Sequence, residues 1–167
     1  MANDDEPRRS RLVTWQNPAL ATQAGRALSG LDYLLGVQNG SIPVSPFGRL
    51  LDYRIVEVRP GHARLELEPQ EFHCNPTGTV HGGVLSTLLD SAMGCAVQAT
   101  LAAGVAYATL EMKTNFTRPL RGSSPPVRCE AKTVHAGSRI VTAEGKVLDD
   151  QHVLYAHGLA TFMIFKT

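Results

Sequence analysis

Hydrophobic and polar positions follow two different periods along this chain, and the period changes near residue 50. Asn17 is placed as a helix N-cap, Pro18 as the first helical residue, and Asn39 with Gly40 as a helix end. The spacing therefore predicts one helix over residues 17–39, followed by a loop in the segment SIPVSPFG. The predicted apolar face of this helix consists of Leu20, Ala24, Ala27, Leu31 and Leu34.

Beyond residue 50 apolar residues alternate with polar ones, which is the period of a β-strand. Two predicted strands flank the segment RPGH, whose Pro and Gly are placed for a type II turn. In the third strand the alternation predicts that Leu110, Met112, Thr114 and Phe116 share one face. The last four of six predicted strands cover residues 107–116, 127–135, 139–148 and 153–165.

A long apolar run, residues 82–103, lies between the second and third strands and contains Asp90, Gly94 and Gln98. A carboxylate at the centre of a bilayer costs about 2.5–3.5 kcal/mol, so a buried helix explains this run better than a membrane span. A helix that is apolar nearly all round must be enclosed by other elements. The order of elements therefore predicts an α+β domain in which a curved antiparallel sheet wraps around the long helix.

Composition and charge narrow the class of protein. The chain has 167 residues, of which 43% are hydrophobic and 19% charged, as expected for one globular domain. The net charge of +1, without a basic face rich in aromatic residues, argues against nucleic-acid binding. Three scattered cysteines argue against a disulfide framework and predict a reducing, cytoplasmic location. The predicted organisation is a disordered N-terminus over residues 1–16, a helical extension over 17–46 and one domain over 47–167.

Asp90 is the only charged residue in the predicted central helix. Its neighbours three and four positions away are Ser86, Thr87, Met93 and Gly94, so no cation on the same helix can pair with it. A carboxylate in an apolar setting loses several kcal/mol of solvation free energy unless something compensates it. Asp90 is therefore either a candidate general base or a structural residue bonded to a hydroxyl or backbone group elsewhere.

Gly82 and Gly83 open the same helix, where the first backbone N–H groups have no intrahelical partner. Without side chains, this backbone can approach a ligand closely and polarise a carbonyl oxygen, as an oxyanion hole does. Eight residues of helix place Gly82 and Asp90 about 12 Å apart along the axis. One carbonyl can contact both groups only if a second subunit supplies its Asp90, and this predicts a dimer.

The segments NPTGTVHGGVLSTLLDSAMG, TLEMKTNFTRPLRG and VHAGSR resemble the hotdog-fold thioesterases of the PaaI-like family. The resemblance runs from about residue 50 to residue 165, in order and without large gaps. It implies a hotdog fold and hydrolysis of an acyl-coenzyme A thioester by a homodimer, often paired into a tetramer. It also implies that the active sites lie at the dimer interface and that coenzyme A enters only as part of the substrate, with no separate cofactor.

The resemblance also implies roles for individual residues. The N–H of Gly82, beside Gly83, would polarise the thioester carbonyl, and Asp90 of the partner subunit would act as general base or as nucleophile. Asn75 would help to hold the carbonyl or the water, and the hydroxyl of Thr109 would position the water. His81 would shape the loop rather than transfer protons.

Basic residues outnumber acidic ones between residues 113 and 146, by seven to two. Arg118, Arg121 and Arg139 lie next to predicted turns, where a guanidinium could bind the phosphates of coenzyme A. Gly137 and Ser138 precede Arg139 in a segment that resembles the phosphate-proximal loop of the family. Other cations in this stretch alternate along strands and are explained by solvent exposure alone.

Other functions fit the sequence less well. His73, Cys74 and His81 match no common zinc spacing, so no metal is expected, and no GxSxG or phosphate-binding glycine loop is present. A non-catalytic acyl-coenzyme A-binding protein and a hydratase or dehydratase on the same fold remain alternatives. An acyl pocket would be lined by sheet residues and the N-terminal extension, and the small or flexible Ala92, Met93 and Ala96 are compatible with an aromatic or medium-chain acyl group.

Overall fold

The computed structural model describes residues 7–166, so part of the N-terminus predicted to be disordered, residues 1–6, lies outside the described residues. Within them the chain forms four α-helices, one short 3-10 helix at Glu71–His73 and six β-strands. The helices are α1 Pro18–Gly25, α2 Gly30–Asn39, α3 Pro46–Leu51 and α4 Gly82–Gln98. The strands are β1 Tyr53–Arg59, β2 His62–Leu67, β3 Val105–Phe116, β4 Val127–Ala136, β5 Ile140–Leu148 and β6 Leu154–Lys166.

The six strands form one antiparallel sheet in the order β1-β2-β4-β5-β6-β3. Gly61, in the turn between β1 and β2, has φ of 73°, as the predicted type II turn requires. Strands β1 and β3 form the two edges of the sheet and have seven and twelve residues, respectively. The long strand β3 therefore leaves one full edge of backbone groups without a strand partner among the described residues.

Helix α4 packs across the sheet and contacts all six strands, which confirms the predicted α+β arrangement. Its buried side chains include Leu88 and Leu89, each worth roughly 1.5–3 kcal/mol of hydrophobic burial. The remaining strip of α4 is only half-buried and carries Ser86, Thr87, Asp90, Ser91 and Cys95. The polar residues that interrupt the apolar run therefore lie together, on the side of the helix that the sheet does not cover.

The single N-terminal helix predicted over residues 17–39 is wrong, because the structure divides it into α1 and α2. Ser29 accepts a hydrogen bond from the N–H of Asp32 and starts a new helix. The N–H of Gly30 donates to the carbonyl of Leu101 at 2.9 Å, and a Cβ at Gly30 would lie 1.8 Å from the carbonyl oxygen of Gln98. This close approach to the C-terminal end of α4 requires glycine and sets the direction of α2. The N-cap Asn17 and the helix end at Asn39 are confirmed.

The loop predicted for SIPVSPFG is also partly wrong, because α3 begins within it at Pro46. Ser45 accepts a hydrogen bond from the N–H of Gly48 at 3.1 Å, and Pro46 occupies the first helical turn. The helix has only six residues, too few for an apolar period to show in the sequence.

Strand β3 contains a β-bulge at Leu110, which breaks the predicted alternation. Thr109 lies opposite Phe162 and Glu111 lies opposite Thr161, so Leu110 has no partner on β6. Met112, Thr114 and Phe116 share the inner face as predicted, since they lie opposite Ala160, Gly158 and Ala156. The prediction is wrong for Leu110, which is 53% exposed. Before the bulge the inward positions are Tyr107 and Thr109 instead.

Candidate active site

Asp90 lies in the middle of α4, and its carboxylate accepts a hydrogen bond of 3.0 Å from the hydroxyl of Thr109 on β3. None of the ion pairs among residues 7–166 involves Asp90. The hydroxyl contact that a structural aspartate would make is therefore present, but the negative charge is not neutralised by a cation. The bulge at Leu110 is what turns Thr109 inward towards this carboxylate.

Three side chains that can lose a proton lie close enough to Asp90 for its charge to affect them. Burial, with a contribution from Asp90, raises the pKa of Cys95 to about 12 and raises the pKa of Tyr53 and Tyr107. Cys95 is therefore a protonated thiol at neutral pH and a poor nucleophile. Of the groups around the half-buried strip of α4, the carboxylate of Asp90 is the one suited to act as base or nucleophile.

The N-terminus of α4 leaves one backbone donor free. The N–H of Gly83 donates to Nδ1 of His81 at 2.9 Å, and the N–H of Val84 donates to the carbonyl of His81 at 2.9 Å. The N–H of Gly82 has no acceptor among the described residues. His81 thus caps the helix, and Gly82 is left as the available donor.

The two glycines at the start of α4, Gly82 and Gly83, each pack closely against a different side chain. A Cβ at Gly83 would lie 2.9 Å from Nδ1 of His81 and would displace the capping ring. A Cβ at Gly82 would lie 3.0 Å from Cζ of Phe116, whose ring covers this position at the end of β3. Phe116 is itself 53% exposed, so one side of the ring contacts Gly82 while much of the side chain faces solvent.

Asn75 lies in the loop that leads into α4, and its side chain is occupied within that loop. Its Nδ2 donates to the hydroxyl of Thr79 at 2.9 Å, and its Oδ1 accepts the N–H of Thr77 at 3.0 Å. The N–H of Asn75 also donates to the carbonyl of Thr79 at 2.9 Å. In this structure the amide closes the loop before the Gly82 donor.

Within one chain, the predicted catalytic residues fall into two groups. Asp90 and Thr109 are in contact, and Asn75, His81 and Gly82 belong to the loop and first turn of α4. The two groups are separated by eight residues of continuous helix, about 12 Å. A single protomer does not bring them to one carbonyl carbon.

The predicted phosphate-binding residues also lie at two ends of the molecule. Arg121 forms a β-bridge with Thr79, beside the start of α4, and Arg118 lies three residues earlier. Gly137, Ser138 and Arg139 form the turn between β4 and β5, next to Ile140, which pairs with Met163 opposite the early part of β3. The N–H of Gly137 already donates to the carbonyl of Ile140 at 2.9 Å. All three arginines are exposed, and none of the ion pairs among residues 7–166 includes them.

Sequence reasoning missed the role of several residues around the site. The hydroxyl of Ser91, next to Asp90, donates to the hydroxyl of Tyr53 at 3.0 Å, and no local pattern connects positions so far apart. Phe116 lies in the segment TLEMKTNFTRPLRG, but its contact with Gly82 depends on the pairing of β3 with β6. The suggested acyl-pocket residues of α4 are fully buried in the core cluster beneath the sheet: Ala92, Met93 and Ala96.

No cluster of three or more His, Cys, Asp or Glu side chains within residues 7–166 is arranged to hold a metal ion. None of the helices in that range has both the length and the apolar character needed to cross a bilayer.

The chain is similar in sequence and fold to proteins of the thioesterase superfamily. The family model described as the thioesterase superfamily matches residues 77–156, which include Gly82, Asp90 and Thr109. A Halobacterium salinarum protein named "putative esterase" is 31% identical over 127 residues, which cover 70% of this chain and 82% of that protein.

Two solved structures are similar over most of their own length. One is a "conserved protein" from Pseudomonas aeruginosa, with 31% identity, a TM-score of 0.69 and coverage of 73% of this chain and 95% of that one. The other is a "putative thioesterase, phenylacetic acid degradation-related protein" from Ralstonia eutropha, with 28% identity, a TM-score of 0.71 and coverage of 78% and 98%.

Proposed function

The chain belongs to the thioesterase superfamily and is a thioester hydrolase with the hotdog fold, and we propose that its substrate is an acyl-coenzyme A. The observation that carries the proposal is that the N–H of Gly82 has no acceptor within residues 7–166. Its two successors in the helix are engaged by His81, so the start of α4 offers one donor in a fixed direction. A donor of this kind stabilises the negative charge that develops on a thioester oxygen during attack.

Asp90 supplies the second half of the chemistry. As a general base, its carboxylate takes a proton from water while the water oxygen attacks the thioester carbon. As a nucleophile, the carboxylate attacks that carbon itself, and water then hydrolyses the resulting anhydride. In both routes the carbon–sulfur bond breaks and coenzyme A leaves as a thiolate that takes up a proton. Thr109, hydrogen-bonded to the carboxylate, orients it or the water beside it.

A homodimer through the β3 edge would unite the two halves of the site. The edge of β3 that does not pair with β6 runs over twelve residues and has no strand partner among the described residues, which favours pairing with a second copy. A two-fold axis makes that pairing antiparallel. With the axis near Met112, the bulge at Leu110 shifts the register by one residue, so Thr109 of the partner subunit falls opposite Thr114, two residues from the Phe116 ring that covers Gly82. Asp90 of the partner subunit then approaches the free N–H, as the 12 Å separation within one chain requires. Further pairing into a tetramer is compatible with this dimer.

The same symmetry would bring the arginines together. Arg118 and Arg121 lie at the Gly82 end of one subunit, and the 137–139 turn lies near the early part of β3. The antiparallel dimer moves Ser138 and Arg139 of the partner subunit towards that end. These three exposed arginines have no ion-pair partner in the described part of the chain, and they suit the phosphates of coenzyme A. The free thiols of Cys74, Cys95 and Cys129 are consistent with a reducing cytoplasm.

The test compares two substitutions at Gly82. Gly82→Pro removes the N–H, and proline is accommodated at a first helical position after His81, whose φ of −61° and ψ of 136° suit a residue before proline. Gly82→Ala adds a similar contact with Phe116 but keeps the N–H. We expect Gly82→Pro to lower kcat for octanoyl-coenzyme A about a hundredfold relative to Gly82→Ala, the range for loss of one oxyanion donor.

Release of free thiol is the readout, with far-UV circular dichroism to confirm folding. Equal activity of the two variants would contradict the role of the N–H. Wild-type protein that releases no thiol from short, medium, long or aryl acyl-coenzyme A esters would overturn the substrate assignment.

A further inference from the structure

A cavity of about 310 Å³ lies between the N-terminal extension and the central helix. Its volume falls at the lower end of the range for ligand pockets, about 300–1,000 Å³. Residues of α2, of β1 and of the segment around α3 line it, together with Cys95 of α4, and two of these lining residues, Arg49 and Arg54, are arginines. The residues that give it an apolar and aromatic lining are Tyr33, Leu34, Val37, Tyr53, Ile55 and Cys95.

The lining of this cavity comes close to Asp90 through two residues, Tyr53 and Cys95. Tyr53 lines the cavity, and its hydroxyl accepts the hydrogen bond from Ser91, the residue after Asp90. Cys95 lies on the same half-buried strip of α4, one helical turn beyond Ser91. The charge of Asp90 contributes to the raised pKa of both Tyr53 and Cys95, which agrees with their closeness to the carboxylate.

The extension holds the α2 side of this cavity in a defined position. Leu34 packs with Val58 and Ala99 in a separate apolar cluster that joins α2 to β1 and to the end of α4. The N–H of Gly30 is bonded to Leu101 at 2.9 Å, so the first turn of α2 is also tied to the residues after α4. The cavity is thus a built pocket between fixed elements rather than a gap beneath a loose segment.

We infer that this cavity binds the acyl group of the substrate and that α2 sets the size of acyl group the enzyme accepts. The inference rests on the proposed acyl-coenzyme A hydrolysis. Its volume corresponds to about ten water molecules in the liquid, which is room for an acyl group of about ten heavy atoms or fewer. Medium-chain and aryl groups fit this space, and the far end of a long-chain acyl group does not.

A series at Val37 tests the inference. Val37→Phe fills part of the cavity and Val37→Ala enlarges it, while Leu35→Phe on the exposed side of α2 is the matched control. The measurement is kcat/KM for acetyl-, octanoyl- and dodecanoyl-coenzyme A. We expect Val37→Phe to lower the octanoyl-to-acetyl ratio at least about tenfold, since small steric changes in apolar pockets discriminate substrates by 10–200-fold. Val37→Ala raises the dodecanoyl-to-octanoyl ratio, and Leu35→Phe changes neither ratio.

Binding of S-octyl-coenzyme A, a thioether that cannot be hydrolysed, gives a readout independent of catalysis. Wild-type protein should bind S-octyl-coenzyme A more tightly than free coenzyme A. We expect this difference in Kd to be smaller in Val37→Phe and unchanged in Leu35→Phe. If Val37→Phe does not fold, the Val37→Ala ratio decides the matter alone. Unchanged ratios in a folded, active series would overturn the acyl pocket and leave the proposed hydrolysis standing. A wild-type enzyme inactive on every acyl-coenzyme A would instead reject the proposed function.

Discussion

The hydroxyl of Thr109 donates a 3.0 Å hydrogen bond to the carboxylate of Asp90, joining the edge strand β3 to the central helix α4. The contact exists because a bulge at Leu110 reverses which residues of β3 face inward. It gives a lone, half-buried carboxylate one fixed orientation without neutralising its charge.

Removing the Thr109 hydroxyl should weaken catalysis less than removing the Asp90 carboxylate. We expect Asp90→Asn to lower kcat about a hundredfold or more, the general scale for a positioned base. Thr109→Ala removes one hydrogen bond to a charged group, about 1.5 kcal/mol and therefore about tenfold in rate. Thr109→Ser restores the hydroxyl and most of the rate. A Thr109→Ala loss as large as that of Asp90→Asn would show that Thr109 does more than orient.

Mixed dimers should recover activity that neither parent has. A dimer of Gly82→Pro and Asp90→Asn subunits contains one site with both defects and one intact site, if each site combines Gly82 with Asp90 of the partner subunit. Random exchange of equal amounts then yields about a quarter of the wild-type activity, because half of the dimers are mixed and each has one good site of two. The assay is thiol release after unfolding and refolding the mixture. Mixed dimers, verified by mass, that stay inactive would contradict a shared site.

Loss of the His81 cap should lower stability. Nδ1 of His81 accepts the N–H of Gly83 at 2.9 Å, and removing an N-cap acceptor costs about 1 kcal/mol. We expect His81→Ala to lower Tm by about 2–4 °C, the shift for such a change in a domain of this size. His81→Asp provides another acceptor at the N-cap and should keep Tm near the wild-type value. Differential scanning calorimetry at one protein concentration is the measurement.

His73 should make the free energy of unfolding depend on pH. Its side chain is 2% exposed, and this burial lowers its pKa below the ordinary value. Nδ1 accepts the N–H of Gln70 at 3.1 Å, so the other ring nitrogen carries the proton and donates to the carbonyl of Leu51 at 2.9 Å. The neutral ring is thus the form that the fold holds.

Below the ordinary pKa of histidine, about 6.5, the unfolded chain binds a proton that the folded chain does not. His73 therefore contributes full stability above that pH, and the contribution falls as pH drops towards the lower folded pKa, by at most about 1.4 kcal/mol per pH unit. The side chain of His73→Gln can accept and donate hydrogen bonds but does not titrate. Its free energy of unfolding, measured by urea unfolding, should therefore change less between pH 6.5 and pH 5 than that of the wild type. A variant with the same pH dependence as wild type would assign the effect to another group.

Local sequence patterns were enough to predict the main architecture. The alternation in β4, β5 and β6 and the long apolar run of α4 are local patterns, and the requirement to cover that run predicted a wrapped sheet. The motif from Asn75 to Gly94 also contained the free helix terminus and the acid. The 12 Å between Gly82 and Asp90 followed from helical rise alone, since both residues lie on one helix.

The surroundings of Asp90, in contrast, depend on how distant segments pack together. The alternation predicted for β3, with Leu110 on the inner face, would have turned Thr109 outward. The bulge at Leu110, which arises in the pairing with β6, turns Thr109 inward instead. Contact between Gly30 and the end of α4 divided the N-terminal helix and positioned α2 over Cys95. Tyr53 reached Ser91 across 38 positions of the chain. The periodicity of side chains predicts only the secondary structure of a segment and which of its residues share a face. These features depend instead on contacts between segments that are distant in sequence.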